Sequence, residues 1–423
     1  MMKIKKNVVI VGLGYIGLPT AAILANAGYS VVGVDINKDV VRSVNEGKIH
    51  IVEPDLDRLV SKAVESGALI ASAMPADADI FVIAVPTPFK GDHEPDLSYI
   101  EAAAHSIASY LRKDNLVILE STSPVGTTEI LASIFSKLRP DLSFPSKGGA
   151  WKIDVNVAYC PERVLPGFIV TELVNNDRII GGISPRCSEV ARNFYETFIR
   201  GQCIETDSRT AEMTKLTENA FRDVNIAFAN ELSLICEELD INPWNLISLA
   251  NRHPRVNVLS PGPGVGGHCI AVDPWFIVNA TPMLARMIKV AREVNENQPL
   301  YILNKVFTVN TQLSEVLNKK INIGIFGLSF KANIDDLRES PALKIAEKII
   351  ENRQDFCEIN IVEPNIQNLP SNLRHLNVKL AQAREAIFNS DLLLLLVDHK
   401  EFSIIDRDLL SGKSIIDTRG IWI

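Results

Sequence analysis

Cysteine is scarce and scattered in this chain. Its 423 residues include six, Cys160, Cys187, Cys203, Cys236, Cys269 and Cys357, and no two of them form a CxxC pair. That spacing gives no metal-binding pattern and argues against a disulfide framework. Long apolar runs are missing too. None reaches the roughly 20 residues that a membrane span needs, so no membrane insertion is expected. The N-terminal stretch superficially resembles a secretory signal, but Gly12, Gly14, Gly17 and Pro19 break its apolar run. An excess of basic charge is also absent. Lys and Arg number 43 against 51 Asp and Glu, a net charge of −8. This argues against a nucleic-acid partner held mainly by phosphate contacts. It leaves room for a small anion, which a few well-placed Arg and Lys can hold. What remains is a globular composition, 47% apolar and 22% charged, long enough for roughly three domains. The cytoplasm is the expected location.

The first ordered signal is a strand-like run, Asn7–Val11, followed by Gly12-Leu-Gly14-Tyr15-Ile16-Gly17 and a small-residue helix over 18–28. In such a fingerprint the first glycine makes the turn, the second lets a pyrophosphate approach, and the third lets helix and strand pack closely. The helix N-terminus adds amides and a favourable dipole. Asp35 closes the next strand, 30–35, where a carboxylate accepts from both ribose hydroxyls and repels a 2′-phosphate. NAD is therefore the expected cofactor. Further apolar runs at 80–85 and 116–120 alternate with helical stretches such as 97–111. Short buried strands alternating with helices indicate a doubly wound parallel sheet. Thr87, in Ala-Val-Pro-Thr-Pro, and Thr122 and Thr128, in Glu-Ser-Thr-Ser-Pro-Val-Gly-Thr-Thr, follow two of these strands. Each is expected to line the nicotinamide side or to cap a helix. A polar, glycine-containing excursion stands near Pro145–Ala150.

From Arg209 the pattern turns helical, over 209–240, 243–251 and 283–309, and strand–helix alternation restarts at Ile321. Ser340-Pro341 is helix-start chemistry. The reading is α/β, two Rossmann-like doubly wound domains joined by a helical spacer, with boundaries at 1–206, 207–312 and 313–423. Lys215, Asn219 and Arg222 share one helix face at i, i+4 and i+7, facing either a cleft or solvent. Arg252, His253 and Arg255 make a basic loop suited to phosphate. Then comes Gly262-Pro-Gly264-Val-Gly266-Gly267-His-Cys269, with Asp273 four residues on. Four glycines in six positions let backbone approach a ligand, and the cysteine that follows suits a thiol nucleophile. In the last domain Gly324-Ile-Phe-Gly327 lacks the third glycine of the fingerprint, which fits a mononucleotide diphosphate. Lys331 and Arg338 are its expected counter-charges, or else a surface loop with paired charges, and Arg419 is a weaker candidate.

The motifs GLGYIGLP, VPTPFKGDHEP, ESTSPVG, CPERVLPG, TKLTENAFRDVN, GPGVGGHCIAVDP and FKANIDDLRESPA occur in this order. Over essentially the whole chain they resemble the UDP-sugar 6-dehydrogenase family. The resemblance implies a two-step, four-electron oxidation at C6 of a UDP-N-acetylhexosamine, with N-acetylmannosamine as the sugar and N-acetylglucosamine as the alternative. It makes Cys269 the thiol that traps the aldehyde. Lys215 becomes a proton donor or acceptor that stabilises an oxyanion with Asn219. Asp273 helps to activate water, and Thr122 and Glu162 order nearby groups. Arg163, Val164, Arg222, His253, Arg255, Gly266, Phe330, Lys331 and Arg338 take sugar-nucleotide positions. Tyr15, Ile16, Asp35, Thr87 and Thr128 take NAD positions. The spacer helices are expected to form a homodimer. Two departures stand out. Pro161-Glu-Arg-Val-Leu-Pro166-Gly lacks the second Glu of the glucose-oxidising branch, and Ala332 replaces a common proline.

Overall fold

The structure, a computed structural model, describes residues 6–91, 93–146, 152–267 and 269–422. Most of the expected excursion at 145–150 lies outside them, as does His268 of the glycine–cysteine motif. The chain divides into two compact units, Met1–Glu218 and Asn219–Ile423.

The first unit carries strands β1 (Asn7–Val11), β2 (Ser30–Val34), β3 (Leu69–Ser72) and β4 (Ile80–Ile83), then a short hairpin of β5 (Phe89–Lys90) and β6 (Glu94–Pro95). β7 (Leu116–Leu119), β8 (Asn156–Tyr159), β9 (Arg178–Gly182) and β10 (Cys203–Asp207) complete it. Eight of these form one sheet in the order β10-β9-β8-β7-β4-β1-β2-β3. All its pairs are parallel except β8 with β9. The central runs β4 and β7 are continuously apolar and buried, because both faces are covered. Val8 and Ile10 enter one core and Val9 and Val11 the other, as the two-residue period of a strand requires. The chain leaves β1 for β2 on one side and returns to β4 on the other. This reversal opens a crevice at the carboxyl ends of β1 and β4, where open α/β sheets bind ligands.

The long helix Ser208–Glu238 starts in the first unit and ends in the second. Helices Pro243–Ala250, Asp273–Ala280 and Arg286–Leu317 follow. The last runs beyond the expected stop at residue 309 and ends at Asn318, whose φ of 49° makes the left-handed cap more often supplied by glycine. β11 (Ile323–Phe326), β12 (Ile359–Val362), β13 (Val378–Leu380), β14 (Leu392–Leu395) and β15 (Ser414–Asp417) then form a parallel sheet in the order β13-β12-β11-β14-β15. The same reversal recurs at β11. Ser340 caps the helix Pro341–Glu351 as its sequence foretells, its Oγ accepting the Leu343 amide at 3.2 Å.

Candidate active site

Gly12 takes φ +96°, a region closed to most side chains, and a Cβ there would overlap the Ala84 backbone. A Cβ at Gly17 would strike the Gly12 carbonyl, whereas one at Gly14 would meet nothing within 4 Å. The middle glycine therefore faces open space at the start of helix Gly17–Asn26, a cradle that a pyrophosphate fits. Asp35 lies beside it, Oδ2 accepting the Leu13 amide at 3.0 Å and Oδ1 the Asn37 amide at 2.8 Å. Tyr15 and Ile16 are half-buried on the turn. These groups have the shape and donor set that an adenine dinucleotide requires.

The loops after β4 and β7 are tied together. Thr87 Oγ1 donates to the Thr122 carbonyl at 2.5 Å and Ser121 Oγ to the Val85 carbonyl at 2.7 Å. Thr128, expected as a cofactor contact, has its hydroxyl engaged within the protein. It is fully buried, and its hydroxyl donates to Glu212 at 2.6 Å. Glu212 also accepts the amides of Gly126 and Thr128, so it fastens the whole loop. Burial pushes the Glu212 carboxyl upward, against these hydrogen bonds.

Behind the strand ends sits an enclosed polar cluster. Glu162 accepts the Arg163 amide at 2.7 Å, and its other oxygen lies 2.5 Å from the Arg178 guanidinium. Lys215 Nζ donates to the Glu162 carbonyl at 2.7 Å. This joins two residues that the sequence places 53 positions apart. Arg178 lies 4.9 Å over the Tyr195 ring, and Tyr195 donates to Glu120 at 2.6 Å. Burial lifts the Glu120 carboxyl to about 7 despite the Arg178 charge. Arg163 reaches Glu218 at 3.3 Å, while Val164 packs onto the small core of Ile23, Ile169 and Leu173. Glu120, Arg178 and Tyr195 escaped the sequence reading because they lie far apart in the chain and no local pattern brings them together.

In the second unit, Cys269 is exposed on the turn before helix Asp273–Ala280, its carbonyl accepting the amides of Val272 and Asp273 at 3.0 and 2.9 Å. Cys160 makes the contrast, since burial pushes its thiol upward and out of use. Asp273 is buried and accepts Asn219 Nδ2 at 2.5 Å. The glycine run leading to Cys269 is anchored from beneath. Gly262 donates its amide to Asn230 at 2.9 Å, Asn230 donates to Asn295, and Asn295 and Arg292 both donate to Asp223 at 2.8 and 2.7 Å. Burial pushes Asp223 upward, partly offset by Arg292. These four residues were missed in the sequence. Their only signal is a pair of polar side chains, 223 and 230, seven apart on an otherwise packed helix.

A Cβ on Gly266 would come within 2.8 Å of Phe330 Cβ, so this glycine lets the loop settle on Phe330. Lys331 is half-buried next to it. Arg338 follows the paired-charge reading, with Nε and Nη2 on Asp336 at 2.8 and 2.5 Å. Arg222, His253 and Arg255 are exposed, the latter two on a loop closed by Asn251 hydrogen bonds to Val258. Arg419 belongs to the second unit, whereas the fingerprint lies in the first. It pairs with Asp398 at 2.8 Å and reaches the Pro261 carbonyl.

Three family models match this chain, all from the UDP-glucose/GDP-mannose dehydrogenase family. They are its NAD binding domain over residues 6–199, its central domain over 209–297 and its UDP binding domain over 324–423. An NDP-N-acetyl-D-galactosaminuronic acid dehydrogenase of Ralstonia nicotianae is 58% identical, covering 99% of this chain and 96% of its own. A UDP-N-acetyl-D-mannosamine dehydrogenase of Escherichia coli is 56% identical, covering 98% of each. Among solved structures, the UDP-N-acetyl-mannosamine dehydrogenase Cap5O of Staphylococcus aureus superposes with a TM-score of 0.84 at 39% identity, over 98% of this chain and 95% of its own.

Proposed function

The chain belongs to the UDP-glucose/GDP-mannose dehydrogenase family, and on that premise we propose that it oxidises UDP-N-acetyl-D-mannosamine at C6 to the uronate. The consumer would be the assembly of a bacterial surface polysaccharide. The exposed Cys269 thiol at the end of an anchored glycine run carries the reading. Gly14, Asp35 and the amides of helix Gly17–Asn26 would hold NAD, which accepts a hydride in each of the two oxidations. Lys215 takes the proton of the C6 hydroxyl as the aldehyde forms. The Cys269 sulfur then adds to the aldehyde carbon and its proton passes to the oxygen, giving a thiohemiacetal. Loss of a second hydride and of that proton leaves a thioester. Lys215 and Asn219 stabilise the oxyanions as hydrogen-bond donors. Asp273, already bonded to Asn219, directs water onto the thioester carbon. Hydrolysis returns the thiol and releases the carboxylate.

A galacto-configured N-acetylhexosamine is the second reading, because the relative at 58% identity is named for galactosaminuronic acid. NADH yield with purified protein decides between them, using the UDP-linked N-acetyl forms of mannosamine, galactosamine and glucosamine in turn. Two NADH per UDP-N-acetylmannosamine, and at most one with Cys269→Ser, are expected. One NADH with the parent protein, or full turnover by Cys269→Ser, removes the thioester route.

The protein is proposed to work as a homodimer in the cytoplasm. Phe221, Phe228 and Ile235 recur every seven residues on the long helix, so they share one face, and they are 68%, 53% and 45% exposed. Met287 and Val290 are similarly uncovered on helix Arg286–Leu317.

A further inference from the structure

The two sheets repeat one device. Gly12 and Gly327 have φ of +96° and +93°. Each donates its amide at 2.8 Å to the carbonyl ending the neighbouring strand, Val34 in one unit and Val362 in the other. The next amide, of Leu13 or Leu328, goes to the acid after that strand, Asp35 at 3.0 Å or Glu363 at 2.8 Å. Asp35 remains half-exposed, as an acid that meets ribose hydroxyls must. Glu363 is only 3% exposed, and it is covered by a side chain of its own chain: His399, itself fully buried, brings Nε2 to 3.1 Å from Glu363 Oε2.

The other imidazole nitrogen, Nδ1, accepts the Asn333 amide at 2.9 Å. A nitrogen that accepts an N–H is unprotonated, so Nε2 carries the proton and donates it to Glu363. Asn333 stands at φ +63°, and its Oδ1 accepts the Lys400 amide at 3.0 Å. Ser329 gives its amide to Glu363 at 3.2 Å and its hydroxyl to the Lys331 carbonyl at 2.8 Å. Both ends of the segment 329–333, which carries Phe330 and Lys331, are thus tied to one acid–imidazole pair. Burial works to raise the Glu363 carboxyl, but the hydrogen bonds from His399 and from the Leu328 and Asn365 amides outweigh it and hold it low.

We propose that His399 is a positioning residue. The Glu363–His399 pair fills the place where a second dinucleotide's ribose would bind, and it clamps the 329–333 loop to receive a nucleoside diphosphate. The clamp rests on the reading above that the second unit takes the sugar nucleotide.

Two variants of the full chain separate the halves of the imidazole. His399→Asn keeps an acceptor at the Nδ1 place and loses the donor to Glu363; His399→Gln does the reverse. UDP is the probe, by calorimetry, and hydrogen exchange at the Asn333 amide reports the loop without any ligand. Losing one buried hydrogen bond is worth about tenfold. His399→Gln is therefore expected to weaken UDP and speed Asn333 exchange about tenfold. His399→Asn keeps the Asn333 tie and leaves Glu363 its Leu328 and Ser329 amides, so it should lose less and stay within about threefold on both, and KM for NAD should hold in each. Unchanged UDP affinity and exchange in His399→Gln, or equal losses in both variants, overturn the clamp. Parent protein that ignores UDP sinks the substrate reading instead, and the exchange rates still decide the clamp. If either variant does not fold, Ser329→Ala serves. It removes the tie to Lys331 and the longer 3.4 Å contact of the Ser329 hydroxyl with His399 Nε2, and unchanged UDP affinity in it overturns the proposal.

Discussion

Glu120 follows β7 as an enclosed carboxyl, with the Tyr195 hydroxyl on one oxygen and the Arg178 charge nearby. Its folded value of about 7 lies above the ordinary 4.5, so the folded chain holds a proton that the unfolded chain has released. Stability from this group is complete below pH 4.5 and drains away as pH rises through 7. Gln at 120 mimics the protonated acid. Glu120→Gln should match the parent protein near pH 4.5 and exceed it at pH 8 by roughly 3 kcal/mol, read by urea unfolding at both values. Parallel slopes in the two proteins would exclude this origin. Sequence alone could not single out Glu120, since burial, not residue type, sets its shift. The turn geometry at Gly12, Gly14 and Gly17 and the place of Asp35 after its strand were legible, because each follows from a local backbone need within one strand–turn–helix unit. The partner of Thr128 was not. Its hydroxyl goes to Glu212, 84 positions away, and composition does not tell a free polar group from a spent one.

Among the elements, the glycine run before Cys269 shows how a loop made of permissive residues is fixed from outside itself. Asn230, on the long helix, holds the Gly262 amide and is held in turn by Asn295 on helix Arg286–Leu317. The start of the run is therefore held by two helices. Asn230→Ala leaves the buried Gly262 amide and the buried Asn295 Oδ1 unpaired, at a cost of about 2–4 kcal/mol. Unfolding in urea should show that loss, and KM for the sugar nucleotide should rise. Asn225→Ala, on the same helix with its amide on the exposed Phe221 carbonyl, is the control and should change stability by less than about 0.5 kcal/mol. Equal effects of the two would mean that the anchor carries no special weight. Helix existence was readable from periodicity and caps, as Ser340 shows. The stop at Asn318 was not, because an asparagine in the left-handed region carries a weaker signal than glycine.

For the whole molecule, the uncovered residues of the long helix set the expectation for assembly. Burying Phe221 and Phe228 removes two large apolar side chains from water, worth about 2 kcal/mol each per protomer. A charge placed there must be desolvated on association. Sedimentation should find a dimer for the parent chain and a monomer for Phe221→Asp with Phe228→Asp. A parent protein that sediments as a monomer removes the dimer reading. The sequence by itself determined the two α/β folds, the dinucleotide cradle and the thiol, because periodicity, glycine geometry and the acid after a strand act over a few residues. Only the tertiary structure decided which polar groups meet: Lys215 with Glu162, Asn219 with Asp273, and Glu363 with His399. Those pairs lie 36 to 54 positions apart, and burial in a shared, water-poor space, which no local pattern encodes, is what forces each group to find its partner.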